Sequence, residues 1–105
     1  MEKKEGLRLN DGKARIDLVP PSAIVALAQV LTAGAKKYAE HNWRHGMAHS
    51  KCYASVQRHL LKYWAGEDND SETGLPHLYH ALCNIAFLIE YQTTYPELDD
   101  RDWET

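Results

Sequence analysis

The feature that most constrains this chain is the apolar pattern that follows Pro76. Leu78, Leu82, Ile85, Ala86 and Ile89 recur every three to four residues, and Leu75, Ala81, Phe87 and Leu88 widen the stripe over much of the circumference. The spacing predicts a helix from about Pro76, which a first turn tolerates, to about Thr93. A helix so apolar must be covered on several sides, and a chain of 105 residues can build only one small core.

Two other segments carry a helical period. After Pro20-Pro21-Ser22, the residues Ile24, Val25, Leu27, Ala28, Val30, Leu31 and Ala35 predict a first helix ending near Tyr38. Ser50 is a plausible N-cap for a second over 51–65, with Tyr53, Val56, His59 or Leu60, and Tyr63 or Trp64 repeating until Gly66. Tyr53, Tyr63 and Trp64 are expected in core and interface packing. The expected fold is all-α, a helical bundle of about three main helices per chain completed by homo-oligomerisation, with a dimer the simplest form.

The whole chain, 1–105, reads as one helical domain with an irregular arm over 1–19 and an acidic tail over 94–105. In the arm, Asn10-Asp11-Gly12 signals a turn, and Ile16, Leu18 and Val19 first offer something to bury. The stretch 39–49 is too polar for core and reads as a loop, and the tail has only Leu98 and Trp103 to hold it. Cys52 and Cys83 lack metal-ligand spacing and read as reduced, half-buried packing residues. The formal net charge of −3 argues against polymeric nucleic acid as the main ligand but suits a small phosphorylated one. Neither a membrane span nor a signal peptide is evident, so cytosol is the expected location.

Polar chemistry concentrates between Arg58 and Asn84. Arg58, His59, Glu67, Asp68, Asp70, Glu72, His77, His80 and Asn84 fall within one helix-turn-helix, and His77, His80 and Asn84 lie on nearly one helical face. Glu67, Asp70 and Glu72 offer hard carboxylate oxygens to Mg²⁺, while the histidines and Asn84 can hydrogen-bond phosphate or water. Two histidines with a carboxylate also make a Zn²⁺ set, placed second because neither HExxH nor an HD dipeptide occurs. The plain structural account is an acidic turn favoured by the following helix dipole, capped by Ser71 or Thr73. A second group, Lys36, Lys37, Asn42, Trp43 and Arg44, joins cations for phosphate to an aromatic ring for base stacking. Lys13, Arg15 and Asp17 of the arm could reach over a neighbouring subunit's site.

The succession KARIDLVPP, GAKKYAEHNWRHG and YASVQRHLLKYWAGEDNDSETGLPHLYHALCNIAFLIEY resembles a family of small bacteriophage proteins known as the dATP/dGTP diphosphohydrolase N-terminal domain, over about residues 10–91. The resemblance implies an all-helical protein linked to the MazG-like nucleotide pyrophosphohydrolases, which cut a deoxynucleoside triphosphate to monophosphate and pyrophosphate with Mg²⁺. It implies Glu67, Asp70 and Glu72 as metal ligands, and His77, His80 or Arg58 steadying charge on phosphate. Lys37, Asn42, Trp43, Arg44, Arg58, His59 and Asn84 would hold the nucleotide, in a host cytoplasm if the chain is viral. The chain departs from the MazG-like pattern of a paired-glutamate helix followed by an ExxD helix, since only Glu67 and Asp70 reproduce the ExxD spacing. Two other classes fit the same residues: a non-catalytic phage protein that sequesters a host signalling nucleotide, and an adaptor whose polar stripe is an oligomer interface.

Overall fold

Proline fixes where two of the three helices begin. Its ring sets φ near the helical value, and its missing N–H is no loss at a helix start. In a computed structural model describing Gly6 and residues 12–102, Pro20 caps α1 (Pro21–Lys37) and Pro76 caps α3 (His77–Thr94). Between them lies α2 (His49–Trp64), and short 3₁₀ turns form at Ile16–Leu18, Asn42–His45 and Pro96–Leu98. The described residues contain no strand, only an isolated bridge between Asn69 and Pro76. The all-α expectation of three main helices is met. Asn10, Asp11 and Trp103 lie outside the described residues.

Helix ends differ from expectation in instructive ways. α2 starts at His49 with Ala48 as its N-cap, so Ser50 sits inside the first turn. Pro76 precedes α3 instead of joining its first turn, and neither Ser71 nor Thr73 caps it. At the far end of α2, Gly66 takes φ +100, where a Cβ would be strained. Glu67 N–H then bonds Lys62 C=O and Gly66 N–H bonds Tyr63 C=O, the double bond of a Schellman end. That reversal turns the acidic segment back over α2.

α2 packs along α3, while α1 leans on α3 more lightly. The buried apolar residues are Ala26, Cys52, Val56, Ala81, Cys83 and Tyr91, joined by His49 and His77. Both cysteines are free and fully buried, not half-buried. The 39–49 stretch was expected to be too polar for core, yet His49 is buried and Trp43 half-buried against Phe87, with ring centroids 6.5 Å apart. Conversely, Ile16, Leu18 and Val19 are exposed, and so are Tyr53, Tyr63 and Trp64, which form no core in the single chain. On α3, Leu78, Ile85 and Ile89 are exposed, as are Ile24 and Val25 on α1. The reason is geometric: three helices of which α1 touches α3 only lightly cannot close around α3.

In the described part of the tail, two carboxylates find a helix start. Asp100 accepts from Ser50 N–H at 2.8 Å and from Ser50 Oγ at 2.5 Å, placing negative charge at the amino end of α2. Half-buried Asp99 stands 3.6 Å from His49 Nδ1, and His49 Nε2 meets Tyr95 C=O at 3.2 Å. Arg101 and, to a lesser degree, His49 hold the Asp99 carboxyl down to about 2, and Ser50 holds Asp100 below the usual range. Both carboxyls therefore bind protons more weakly in the folded than in the unfolded chain. The Asp99 contribution is full above about pH 4, the unfolded value, and is lost as pH falls through about 2, and the Asp100 contribution is likewise lost towards acid. Urea midpoints measured across that acid range should fall less for Asp99→Asn and Asp100→Asn than for the parent; a parallel curve for Asp100→Asn, whose shift comes from Ser50, would contradict the docking.

Candidate functional site

The Schellman end of α2 and the Asn69–Pro76 bridge fold residues 67–76 into a turn that lies beside the start of α3. Its backbone is closed by Asp70 N–H to Leu75 C=O at 2.8 Å, Gly74 N–H to Asp70 C=O at 2.7 Å and His77 N–H to Asp68 C=O at 2.8 Å. This brings His59 of α2, Glu67 and Asp70 of the turn, and His77 and His80 of α3 into one cluster.

His77 is fully buried at the centre. Its Nε2 lies 2.7 Å from a Glu67 carboxylate oxygen and its Nδ1 lies 2.8 Å from His59 Nδ1. A carboxylate accepts, so His77 Nε2 carries the proton; in the neutral ring His77 Nδ1 is then an acceptor, and His59 Nδ1–H donates to it. The His59 and His80 rings stack, with centroids 4.7 Å apart and planes at 13°. Burial, and then the neighbouring His80 and His77, push the His59 imidazole below its usual value; burial likewise pushes His80 down.

Thr73 completes the arrangement. Its N–H and Oγ–H both donate to Asp70 Oδ2 at 3.0 Å, while its Oγ1 accepts from Leu75 N–H at 3.2 Å. With the hydroxyl proton spent on Asp70, the 2.7 Å contact to His80 Nε2 is an Nε2–H donating to Thr73 Oγ1. Burial tends to raise the Asp70 carboxyl, but the two Thr73 bonds outweigh it and hold the carboxyl below the usual range.

One ligand atom from each of His59, Asp70 and His77 lies within 4.8 Å of the other two, the one such group among the described residues. The three carboxylates expected to act together do not converge in this way. Asp70 faces the histidines, Glu67 is engaged by His77, and exposed Glu72 pairs with Lys37 at 2.7 Å. Asn84 donates to His80 C=O at 2.9 Å, a contact within the helix. Arg58 is exposed next to His59. Beside the cluster, a groove of about 510 Å³ runs between α1 and the turn, lined by Val25, Gln29, Thr32, Lys36, Thr73 and Leu75 among others.

Asn42, Trp43 and Arg44 sit elsewhere. Tyr91 Oη donates to Trp43 C=O at 2.6 Å. His77 and Tyr91 are separated by about 21 Å along α3, at the helical rise of about 1.5 Å per residue. Trp43 stacks on Phe87 and has the Arg44 guanidinium 5.6 Å from its ring centre, so both partners are used within the fold. Within one chain these residues and the histidine cluster are two places. Thr73 is the residue that sequence reasoning undervalued. Thr73 was considered only as a cap, and the four-residue step to His77 gave no sign of its bond to His80.

A sequence profile for the family described as dATP/dGTP diphosphohydrolase, N-terminal, matches residues 3–101. The chain is 35% identical over 98 residues to a dATP/dGTP diphosphohydrolase of Salmonella phage PMBT28. That match covers 93% of this chain and 33% of the phage protein, so the chain spans about one third of the relative's length. No solved structure matches significantly. On the profile match and the identity together, the chain belongs to the dATP/dGTP diphosphohydrolase N-terminal family.

Proposed function

We propose that the chain serves hydrolysis of a deoxynucleoside triphosphate to monophosphate and pyrophosphate, dependent on a divalent cation. The observation that carries the reading is the convergence of His59, Asp70 and His77 beside a groove walled by Lys36. The family membership and the phage relative's printed activity agree with it.

In this reading Lys36 meets phosphate oxygens from the groove wall as a mobile point charge. The His80–Thr73–Asp70 chain of hydrogen bonds fixes the His80 ring and leaves its Nδ1 lone pair to orient a water. Mg²⁺, the cation the resemblance implies, prefers oxygen ligands and keeps several waters, so it fits a triphosphate better than it fits a cluster dominated by imidazole. It therefore arrives as part of the substrate, not as a resident of the cluster. Among the described residues no helix is long and apolar enough to cross a membrane, and the substrate pool is taken to be cytosolic.

Exposed Ile24, Val25, Leu78, Ile85 and Ile89 support the further part of the reading, that copies of the chain assemble over these faces. Light scattering should then give a mass at least twice 12.0 kDa, and a monomer at all concentrations would remove this part.

The test of function is incubation with deoxynucleoside and ribonucleoside triphosphates, dATP and dGTP first, with Mg²⁺ or with EDTA, reading products by ion-exchange chromatography. Monophosphate and pyrophosphate formed only with Mg²⁺ are expected. Tight nucleotide binding without turnover would replace this reading with nucleotide capture.

A further inference from the structure

We propose that His59, His77 and Asp70 form a resident site for a divalent transition-metal ion of the zinc class, separate from any Mg²⁺ carried by nucleotide. The inference deepens the functional reading of the same cluster, but its test needs no nucleotide, so the two can fail separately.

The donor set decides the class of ion. Two imidazole nitrogens and one carboxylate suit Zn²⁺, Co²⁺ or Ni²⁺, whereas Mg²⁺ demands oxygen. The two Nδ1 atoms stand 2.8 Å apart across one shared proton, and a ligand atom of Asp70 lies within 4.8 Å of a nitrogen of each ring, so the donors an ion would use are already gathered. An ion bound there displaces that proton to His59 Nε2, so the His59 ring stays neutral and both Nδ1 atoms then present lone pairs. Zn–N bonds of about 2.0–2.1 Å in tetrahedral geometry set the nitrogens about 3.3 Å apart, an opening of about half an ångström.

The support around the ligands is already built. Glu67 accepts from His77 Nε2–H at 2.7 Å, which fixes the tautomer that turns Nδ1 towards His59. Both hydrogen bonds from Thr73 fall on Asp70 Oδ2, which orients the carboxylate and leaves Oδ1 for the ion. His77 is fully buried and cannot swing away. His80 is stacked on His59 and directs its Nε2–H to Thr73, so its stack and hydrogen bond stand beside the ligand set. Three protein ligands then leave a position for water or a phosphate oxygen, the pattern of catalytic zinc sites.

The full chain, freed of metal with a chelator and dialysed, is titrated with Co²⁺ while the visible d–d absorption is recorded. Zn²⁺ is then measured by equilibrium dialysis with elemental analysis. The expected result is about one ion per chain, not displaced by about thousandfold excess Mg²⁺. His59→Ala should weaken binding by more than about 100-fold, and Glu67→Gln, which keeps all three ligands and alters an exposed-side carboxylate, by about 10–100-fold. Far-UV circular dichroism of both variants confirms that they fold. Absence of the cobalt band, or Zn²⁺ affinity unchanged in folded Glu67→Gln and His59→Ala, would overturn the proposal. Mg²⁺-supported turnover without transition-metal binding would sink this inference alone; metal binding without turnover of any nucleotide would uphold it and sink the functional reading.

Discussion

Tyr91→Ala is expected to destabilise the fold by about 3–5 kcal/mol, the range for removing a fully buried aromatic ring. Tyr91 is the largest completely buried side chain. Its ring lies near Phe87 of α3, Tyr95 just past the end of α3 and His49 of α2, with centroids 6.1, 5.7 and 6.3 Å away. Its hydroxyl donates to Trp43 C=O at 2.6 Å, and Tyr95 Oη donates in the same way to Arg44 C=O. The loop between α1 and α2 is thus fastened to the end of α3 by two tyrosines. Tyr91→Phe keeps the ring and should lose only about 1 kcal/mol. Gly46→Ala attacks the same lock from the loop side: Gly46 has φ +79, and an added Cβ would lie 2.9 Å from the Tyr95 ring. Since a domain of this kind has only about 5–15 kcal/mol in total, Tyr91→Ala should show a much reduced urea midpoint or no cooperative transition. An alanine variant as stable as Tyr91→Phe would mean that the loop is not held there.

Asp70→Asn is expected to lower kcat by more than about 100-fold with nucleotide binding only modestly changed. Loss of an outer partner of a metal ligand already lowers activity about 10–100-fold, and the proposed site makes Asp70 a ligand itself. The substitution is nearly isosteric, and the amide oxygen can still accept from Thr73 N–H and Oγ–H, so the turn should keep its shape. What is removed is the negative charge facing the histidines. Single-turnover rates and nucleotide affinity, measured side by side with the parent, separate the two effects. Turnover at the parent rate would move the chemistry away from this cluster; a loss of affinity with an unchanged rate would make Asp70 a binding residue only.

The helices were legible because their signals are local. Apolar residues at three-to-four spacing, a proline at each of two starts and Gly66 at one end act within a few residues of themselves, and the structure follows them to within about two residues. The histidine cluster was legible for the same reason. His59, Glu67, Asp70, His77 and His80 span one helix-turn-helix, so any close return of α3 along α2 brings them together. Which carboxylate faces the rings was not legible. Glu67, Asp70 and Glu72 are equivalent in sequence, and they part company only because Lys37, Thr73 and His77 each take a different one.

What the sequence alone determined is therefore the all-helical class, the family and the local meeting of histidines and carboxylates. The tertiary structure decided the rest: that Trp43 and Arg44 close over the far end of α3, and that Asp99 and Asp100 dock on the start of α2. It also decided that three helices leave apolar faces open. The contacts responsible join Asp100 to Ser50 across 50 residues, Tyr91 to Trp43 across 48 and Tyr95 to Arg44 across 51. No periodicity reaches so far, because a period reports which face of an element is apolar, whereas partners at such separation are chosen only when whole elements pack and each buried donor or acceptor must find its match.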